Sequence, residues 1–232
     1  MYKKTLDTGD ICLTTDNLPE GEKLDLRNWF GGERYDLPLE LEIGTGKGEF
    51  LLRQAGTVSS VNYIGLEYAK QYSLYAADLA RSEDLKNIKI LNIEALSFIK
   101  NHVCDETFRQ IHIYFPDPWP KRKHNRRRFI QENNLRELHR ILEPGGLIRI
   151  VTDHDDYFAW IKKHISSVED LFLCLPFSSP EAAGEGELVG TNFERKYQRK
   201  GRAFHGVILK KRDGRKMEWQ LNKCLKYINR DA

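Results

Sequence analysis

The stretch Ile111-His112-Ile113-Tyr114-Phe115-Pro116-Asp117-Pro118-Trp119-Pro120-Lys121-Arg122-Lys123-His124-Asn125-Arg126-Arg127-Arg128 decides the fold of this chain. Its apolar run, Ile111 to Phe115, alternates too little for a half-exposed strand. Such a run reads as a strand buried on both faces of a parallel sheet. Pro116, Pro118 and Pro120 then remove three backbone donors and bar both helix and ladder, so the chain leaves the sheet as a stiff loop. That loop presents Asp117 and Trp119 at the carboxyl end of a strand, where open α/β sheets bind their ligands. The basic residues Lys121, Arg122, Lys123, Arg126, Arg127 and Arg128 follow. An acid and an indole backed by cations suit an aromatic, polyanionic substrate such as a nucleic acid. A solvated surface loop is the structural alternative.

Upstream, LELEIGTGKGEFLL from Leu39 to Leu52 carries a strand through Ile43 into Gly44-Thr45-Gly46-Lys47-Gly48, with a helix beginning near Lys47 or Gly48. Glycine is needed where the backbone turns sharply and approaches a ligand with no Cβ in the way. The spacing is G-x-G-x-G rather than the dinucleotide G-x-G-x-x-G, and no Gly-Lys-Ser/Thr ending makes Lys47 a Walker-type lysine. Glu42 would repel a pyrophosphate but can accept a hydrogen bond from an amino group. A second strand, Val61 to Glu67, ends in an acid about 20 residues past the glycines, where a carboxylate can hold both hydroxyls of a ribose. Adenosine without pyrophosphate points to S-adenosylmethionine rather than NAD. The structural alternative for Glu67 is a first-turn acid favouring a helix dipole. A helix from about Ala69 to Ser82 has Tyr68, Tyr72, Tyr75 and Leu79 available for its inner face, and core packing is the expectation for such a stripe. A third strand, Ile88 to Asn92, leads into a helix opened by Glu94-Ala95 and carrying Leu96, Phe98 and Ile99. Glu94 can read an adenine amine or serve the helix N-terminus.

Downstream, Phe129 to Leu142 reads as a helix stopped by Glu143-Pro144-Gly145-Gly146. The strand Leu147 to Thr152 ends in Asp153-His154-Asp155-Asp156. Asp155 or Asp156 is expected to cap the helix from Tyr157 to Ile165, which leaves Asp153 as the site candidate and His154 as a surface residue. Leu171 to Phe177 and His205 to Lys211 form an antiparallel pair closing the sheet. Between them lies an insertion, residues 178–202. Its first part, SSPEAAGEGELVG, is flexible in composition, and its second, Thr191 to Arg202, mixes aromatic and basic residues as binders of looped RNA do. Thr191 and Glu194 stand as in a capping box. A final helix, Lys216 to Ile228, is expected to pack Trp219, Leu221 or Leu225 inward.

The chain has 232 residues, 40% of them hydrophobic and 11% aromatic, which fits one globular α/β domain, 38–232, behind an N-terminal extension, 1–37. In that extension Trp29 and Phe30 are candidates for packing onto the domain. A formal net charge of +3 is small, so any RNA surface comes from local clustering. Cys12, Cys104, Cys174 and Cys224 are scattered, with no C-x-x-C, and read as free thiols in a reducing cytoplasm rather than as a zinc site. No metal is expected. The N-terminus lacks an apolar core long enough for a signal peptide, and no segment could span a bilayer. A soluble cytoplasmic protein is expected.

Taken together, LEIGTGKGEF, GLE, NIEA, FPDPWPKRKHNRRR, TDHDDY and TNFERK resemble the bacterial tRNA (guanine-N7)-methyltransferases, class I S-adenosylmethionine-dependent enzymes, from about Leu39 to Lys211. The proline loop and the T-x-F-E-x-K segment carry most of the specificity. The resemblance implies a Rossmann-like α/β fold, with a mostly parallel seven-stranded sheet, helices on both faces and an antiparallel C-terminal strand. It implies methyl transfer from S-adenosylmethionine to N7 of the variable-loop guanine at position 46 of tRNA. By position it makes Glu42, Gly44, Gly46, Gly48, Glu67, Glu94 and Asp117 cofactor-site residues, with Asp117 also catalytic. Lys121, Asp153, Thr191, Asn192, Phe193 and Glu194 fall where the family binds its tRNA, and Arg122, Arg126 and Arg127 are candidates for the RNA backbone. Their contacts should make binding salt-dependent through counterion release. Glu94 stands where the family commonly has aspartate, and Phe193 where tyrosine is frequent. A monomer or homodimer with no obligatory protein partner is expected. An amino-methyltransferase acting on an exocyclic amine and a non-catalytic RNA-binding module on the same fold are the rival readings.

Overall fold

Strands apolar on both faces need helices on both, and this chain supplies the two in alternation. The structure, a computed structural model, describes residues 6–212. The strands are β1 (Cys12–Thr14), β2 (Leu39–Ile43), β3 (Asn62–Glu67), β4 (Ile88–Asn92), β5 (Phe108–Tyr114), β6 (Leu142–Thr152), β7 (Phe172–Pro176) and β8 (His205–Lys211). The helices are α1 (Glu49–Thr57), α2 (Lys70–Ser82), α3 (Ala95–His102), α4 (Glu132–Ile141), α5 (Asp155–Ser166) and α6 (Asn192–Gln198). The strand order is β1-β4-β3-β2-β5-β6-β8-β7. Only β8 runs against its neighbours, pairing antiparallel with both β6 and β7. The chain reverses its order of strands between β2 and β5, which places a crevice at their carboxyl ends.

The sheet has eight strands among the described residues, not the expected seven. The additional one is β1, from the N-terminal segment, with Cys12 opposite Ile90 and Leu13 opposite Leu91. It covers what would otherwise be the open edge at β4. Lys89, reaching Asp10 at 2.7 Å, and an ion pair between Arg81 and Asp7 pin the segment there. Trp29 packs against Phe98 as expected of the extension. The expected helix from Lys216 to Ile228, with Trp219, Leu221 and Leu225, lies outside the described residues, as does Cys224.

Two boundaries differ. The helix expected over Phe129 to Leu142 begins at Glu132, because Phe129 and Ile130 still belong to the tail of the proline loop. The strand after it starts at Leu142, opposite Phe108; a shift in register across Pro144-Gly145-Gly146 then brings Leu147 opposite Gln110. No helix of the described residues is long and apolar enough to cross a membrane.

A larger correction concerns α2. Its buried residues are Ser73, Ala76, Ala77 and Ala80, and the helix lies close to its neighbours. A Cβ on Gly48 would come within 2.9 Å of Ala76 Cβ. Side chains that small leave no room for tyrosine underneath. Tyr68, Tyr72 and Tyr75 are therefore exposed, by 79%, 39% and 45%, rather than packed in the core.

Candidate active site

The site begins at the tip of β2, where Gly44 (φ +81°) and Gly46 (φ +57°) adopt left-handed backbone. A Cβ on either would meet no atom within 4 Å and would project into open space. The backbone has thus been left bare toward a cleft. Gly48 is different: a Cβ there would strike Leu52 and Ala76, so this glycine serves helix packing and does not face the cleft.

Glu42 stands just before the turn and is buried, and its Oε2 has no hydrogen-bond partner among the described residues. Burial pushes this carboxyl up to about 8, against the lowering influence of the Thr45 hydroxyl and with help from Glu67 and Glu49. A buried acceptor left unpaired at a strand tip is a place prepared for a donor the protein does not supply. Glu67, at the end of β3, accepts from the backbone N–H of Gly46 at 2.8 Å and of Ala69 at 2.7 Å. Each oxygen keeps a second lone pair, so it can still receive hydroxyls. Glu94 caps α3, accepting from Leu96 N at 3.1 Å and Ser97 N at 2.7 Å. Its structural role is thus realised while its side chain still borders the cleft.

Opposite the glycines, β5 ends as expected and Phe115 turns the chain with a φ of +51°. Trp119 is also left-handed, at +42°, so two non-glycine residues in this unfavourable region flank Asp117. Strain of this kind persists where surrounding structure over-determines it. Arg128 provides that determination. It is buried, donates to Pro118 O at 2.8 Å, pairs with Asp156, and lies between the rings of Tyr157 and Trp160. Of the six basic residues in the run, Arg128 is thus a bolt inside the fold and not part of the exposed cluster. Lys121, Arg122, Lys123, Arg126 and Arg127 remain exposed around a 3-10 segment, Arg122–Arg127, with Arg127 lying 4.9 Å from the centre of the Trp119 ring.

A cleft of about 630 Å³ joins these two sides: Gly44, Gly46, Glu67 and Glu94 line one wall, Asp117, Trp119 and Arg127 the other. The carboxylate acceptors and the open glycine cradle fit an adenosine-bearing cofactor with a free amino group, such as S-adenosylmethionine.

The insertion was expected to be flexible in its first part. It is instead sewn to α1: Glu49 accepts from Asn192 N at 2.8 Å, Arg53 donates to Gly190 O at 2.9 Å, and Gln54 bonds Glu181 and Ala182. Ala182 and Val189 are buried against Phe50, Tyr114 and Val151. Thr191 caps α6 through Glu194 N at 3.1 Å. Glu194 is buried and accepts from the backbone N–H groups of Leu188, Val189 and Gly190. Both side chains are therefore occupied in holding the insertion. Asn192 and Phe193 are exposed; Asn192 is tied to Glu49, and the Phe193 ring lies tilted against Phe115 and Tyr197, 4.6 Å from the centre of each. Asp153 pairs with Arg202, whose guanidinium lies 4.1 Å from the Tyr197 ring centre. The cap of α5 is His154, whose Nδ1 accepts from Tyr157 N at 3.3 Å, rather than Asp155 or Asp156. Those acids are engaged instead with His205 and Arg128.

Sequence reading missed Glu49, Arg53 and Arg202, which fix the insertion over the site. Their partners lie far along the chain, so no local spacing reveals them. The first-turn position of Glu49 was the one available signal.

The comparisons agree with this geometry. Residues 36–207 match a family model described as "Putative methyltransferase". A tRNA (guanine-N(7)-)-methyltransferase of Alkalilimnicola ehrlichii is 32% identical over 84% of this chain and 80% of its own length. The protein of the same name from Rhodopirellula baltica is 30% identical over 89% of this chain and 76% of its own. Among solved structures, the aminoglycoside resistance methyltransferase NpmB1 superposes with a TM-score of 0.52 at 16% identity, over 75% of this chain and 87% of that one, a likeness of fold. The chain belongs to the family of tRNA (guanine-N7)-methyltransferases.

Proposed function

We propose that this protein transfers a methyl group from S-adenosylmethionine to N7 of a guanine in tRNA, the variable-loop guanine at position 46, in the cytoplasm. The observation that carries the reading is the single cleft shared by the bare glycine turn and by Asp117, Trp119 and Arg127. The names of the relatives favour N7 over an exocyclic amine. When bound, S-adenosylmethionine supplies a methyl group on a positively charged sulfur. Guanine N7 already has a lone pair, so the chain need supply no base before attack: as the N7–methyl bond formed, the sulfur–methyl bond would break, neutral S-adenosylhomocysteine would leave, and the positive charge would pass to the purine.

The chain's own residues then have three tasks. Glu42 receives the amino group of the cofactor, Glu67 its ribose hydroxyls, and Glu94 its adenine end, while Gly44 and Gly46 let the backbone approach. Asp117 accepts from the N1 and N2 hydrogens of the guanine, orienting it and favouring the developing purinium by charge. Lys121, Arg122, Arg126 and Arg127 neutralise phosphates. Phe193 offers a face to the RNA, whereas Thr191, Asn192 and Glu194 act as positioning residues that keep Phe193 in place, and Asp153 does so through Arg202.

The test is methyl transfer from labelled cofactor to unmodified tRNA transcripts, with borohydride–aniline cleavage to locate the modified base. Cleavage at one variable-loop guanine is the expected result. Label without cleavage would assign the chemistry to an exocyclic amine, and cofactor binding without transfer to any tRNA would leave a binding module. Asp117→Ala is expected to abolish turnover in single-turnover assays while cofactor affinity stays within about twofold; an unchanged rate would remove Asp117 from the chemistry.

A further inference from the structure

Three of the seven large hydrophobic residues exposed among the described residues lie on one face of α2 and the turn before it. Tyr72 and Tyr75, three residues apart on α2, share its exposed side away from the buried Ser73, Ala77 and Ala80, and Tyr68 precedes the helix in the turn. Lys47 is exposed, and its Nζ is 6.0 Å from the centre of the Tyr75 ring. Nearby carboxylates are turned elsewhere. Glu67 accepts from Gly46 and Ala69, and Asp78, one turn on, accepts from Asp7 N at 2.8 Å. The face therefore presents aromatic rings beside a cation. It is continuous with the site, since Tyr68 and Tyr72 border the same cleft as Trp119 and Arg127.

We propose that Tyr72 and Tyr75, with Lys47, form a second docking surface for the RNA substrate, on which unpaired nucleotides adjoining the target guanine stack. The inference rests on the reading of the chain as a tRNA methyltransferase and adds a contact surface across the cleft from the basic proline loop. Tyr68, adjoining the ribose-binding acid, belongs to the cofactor end. Each base has a π-face, so stacking on tyrosine tolerates any sequence, and Lys47 beside the Tyr75 ring attracts a phosphate between the bases. A substrate whose guanine enters the cleft would thereby be held from both rims.

Binding of tRNA transcript to the full chain, measured over a range of salt concentrations, tests this. Tyr75→Ala, which stands outside the cleft, is expected to weaken tRNA binding between about fivefold and a hundredfold, with the slope of log K against log salt unchanged and cofactor affinity unchanged. Tyr75→Phe keeps the ring and should restore binding. Lys47→Ala should instead lower the salt slope by about one. Unaltered tRNA affinity in Tyr75→Ala, with wild-type protein still methylating tRNA, would overturn the inference. So would a change of sedimentation from dimer to monomer, because the face would then belong to a second copy of the chain. Wild-type protein that neither binds nor methylates tRNA would remove the parent reading and this surface with it.

Discussion

Glu40 and Glu42 stand on the same strand with only Leu41 between them, both buried and on the same face of the sheet, yet their chemical conditions are opposite. Glu40 accepts from Arg109, from Gln110 at 2.8 Å and from His112 at 3.0 Å. Burial would raise its pKa, but hydrogen bonds and charge from His112 and Arg109 outweigh that and hold it at about 2. Glu42, one pleat nearer the cleft, has an oxygen with no partner and is pushed up to about 8. Desolvation acts on both, so the difference lies in what the protein supplies afterwards. An acid satisfied by its own chain serves the fold, and one left wanting has a lone pair to offer a ligand.

The largest way to break this contrast is Glu40→Ala. It strands Arg109, Gln110 and His112 without their acceptor and should cost about 3–5 kcal/mol in urea unfolding at pH 7; a loss below about 1 kcal/mol would mean that the network is slack. The wild-type contribution has a defined pH window. The folded pKa lies below the unfolded value near 4.5, so the stabilisation is full above 4.5 and is lost as pH falls through about 2.

Glu42→Gln sharpens the same comparison with the opposite sign. Between about 4.5 and 8 the folded chain holds a proton that the unfolded chain has released, so wild-type stability falls as pH rises through that window. Glutamine removes this dependence and should stabilise the cofactor-free protein by up to roughly 3 kcal/mol at pH 7, while weakening cofactor binding. Unfolding at pH 5 and pH 8 measures the first effect. Calorimetry of S-adenosylmethionine binding in two buffers of different ionisation enthalpy should show proton release at pH 7 in wild type and none in the variant. Equal pH slopes in the two proteins would mean that Glu42 is already ionised.

The smallest expected effect lies with an acid of mixed service. Glu94→Ala removes a helix cap worth about 1 kcal/mol, read as a small fall in melting temperature. If cofactor affinity also drops severalfold, Glu94 belongs with Glu42; if only stability moves, it belongs with Glu40.

Much of this was legible in the chain. Strand, glycine turn and terminal acid leave a local signature, and so do a buried strand and the prolines that end it. What escaped was whatever depends on distance between elements. The tyrosines of α2 satisfied a helical stripe, but so did Ser73, Ala76, Ala77 and Ala80, and only the close approach of helix to sheet decides that the small residues go inward. Arg128 is indistinguishable in sequence from the exposed arginines beside it, and its burial is set by Asp156 and Trp160 on α5. The capping-box spacing of Thr191 and Glu194 did announce α6, yet it could not show that the Glu194 carboxylate closes a loop instead of meeting RNA.

The position of β8 between β6 and β7 has a consequence for how the protein is made. β7 leaves the ribosome with no neighbour to pair with, because its only partner is the last described strand. The insertion carrying Phe193 is held independently of that strand, by Glu49, Arg53 and Gln54 of α1, so Phe193 can meet Phe115 while β7 still waits for its partner. The antiparallel edge of the sheet is thus the last part of the described sheet to close. A nascent chain stalled before His205 would have its glycine turn, proline loop and insertion already synthesised while β7 still lacked the strand that joins it to the sheet.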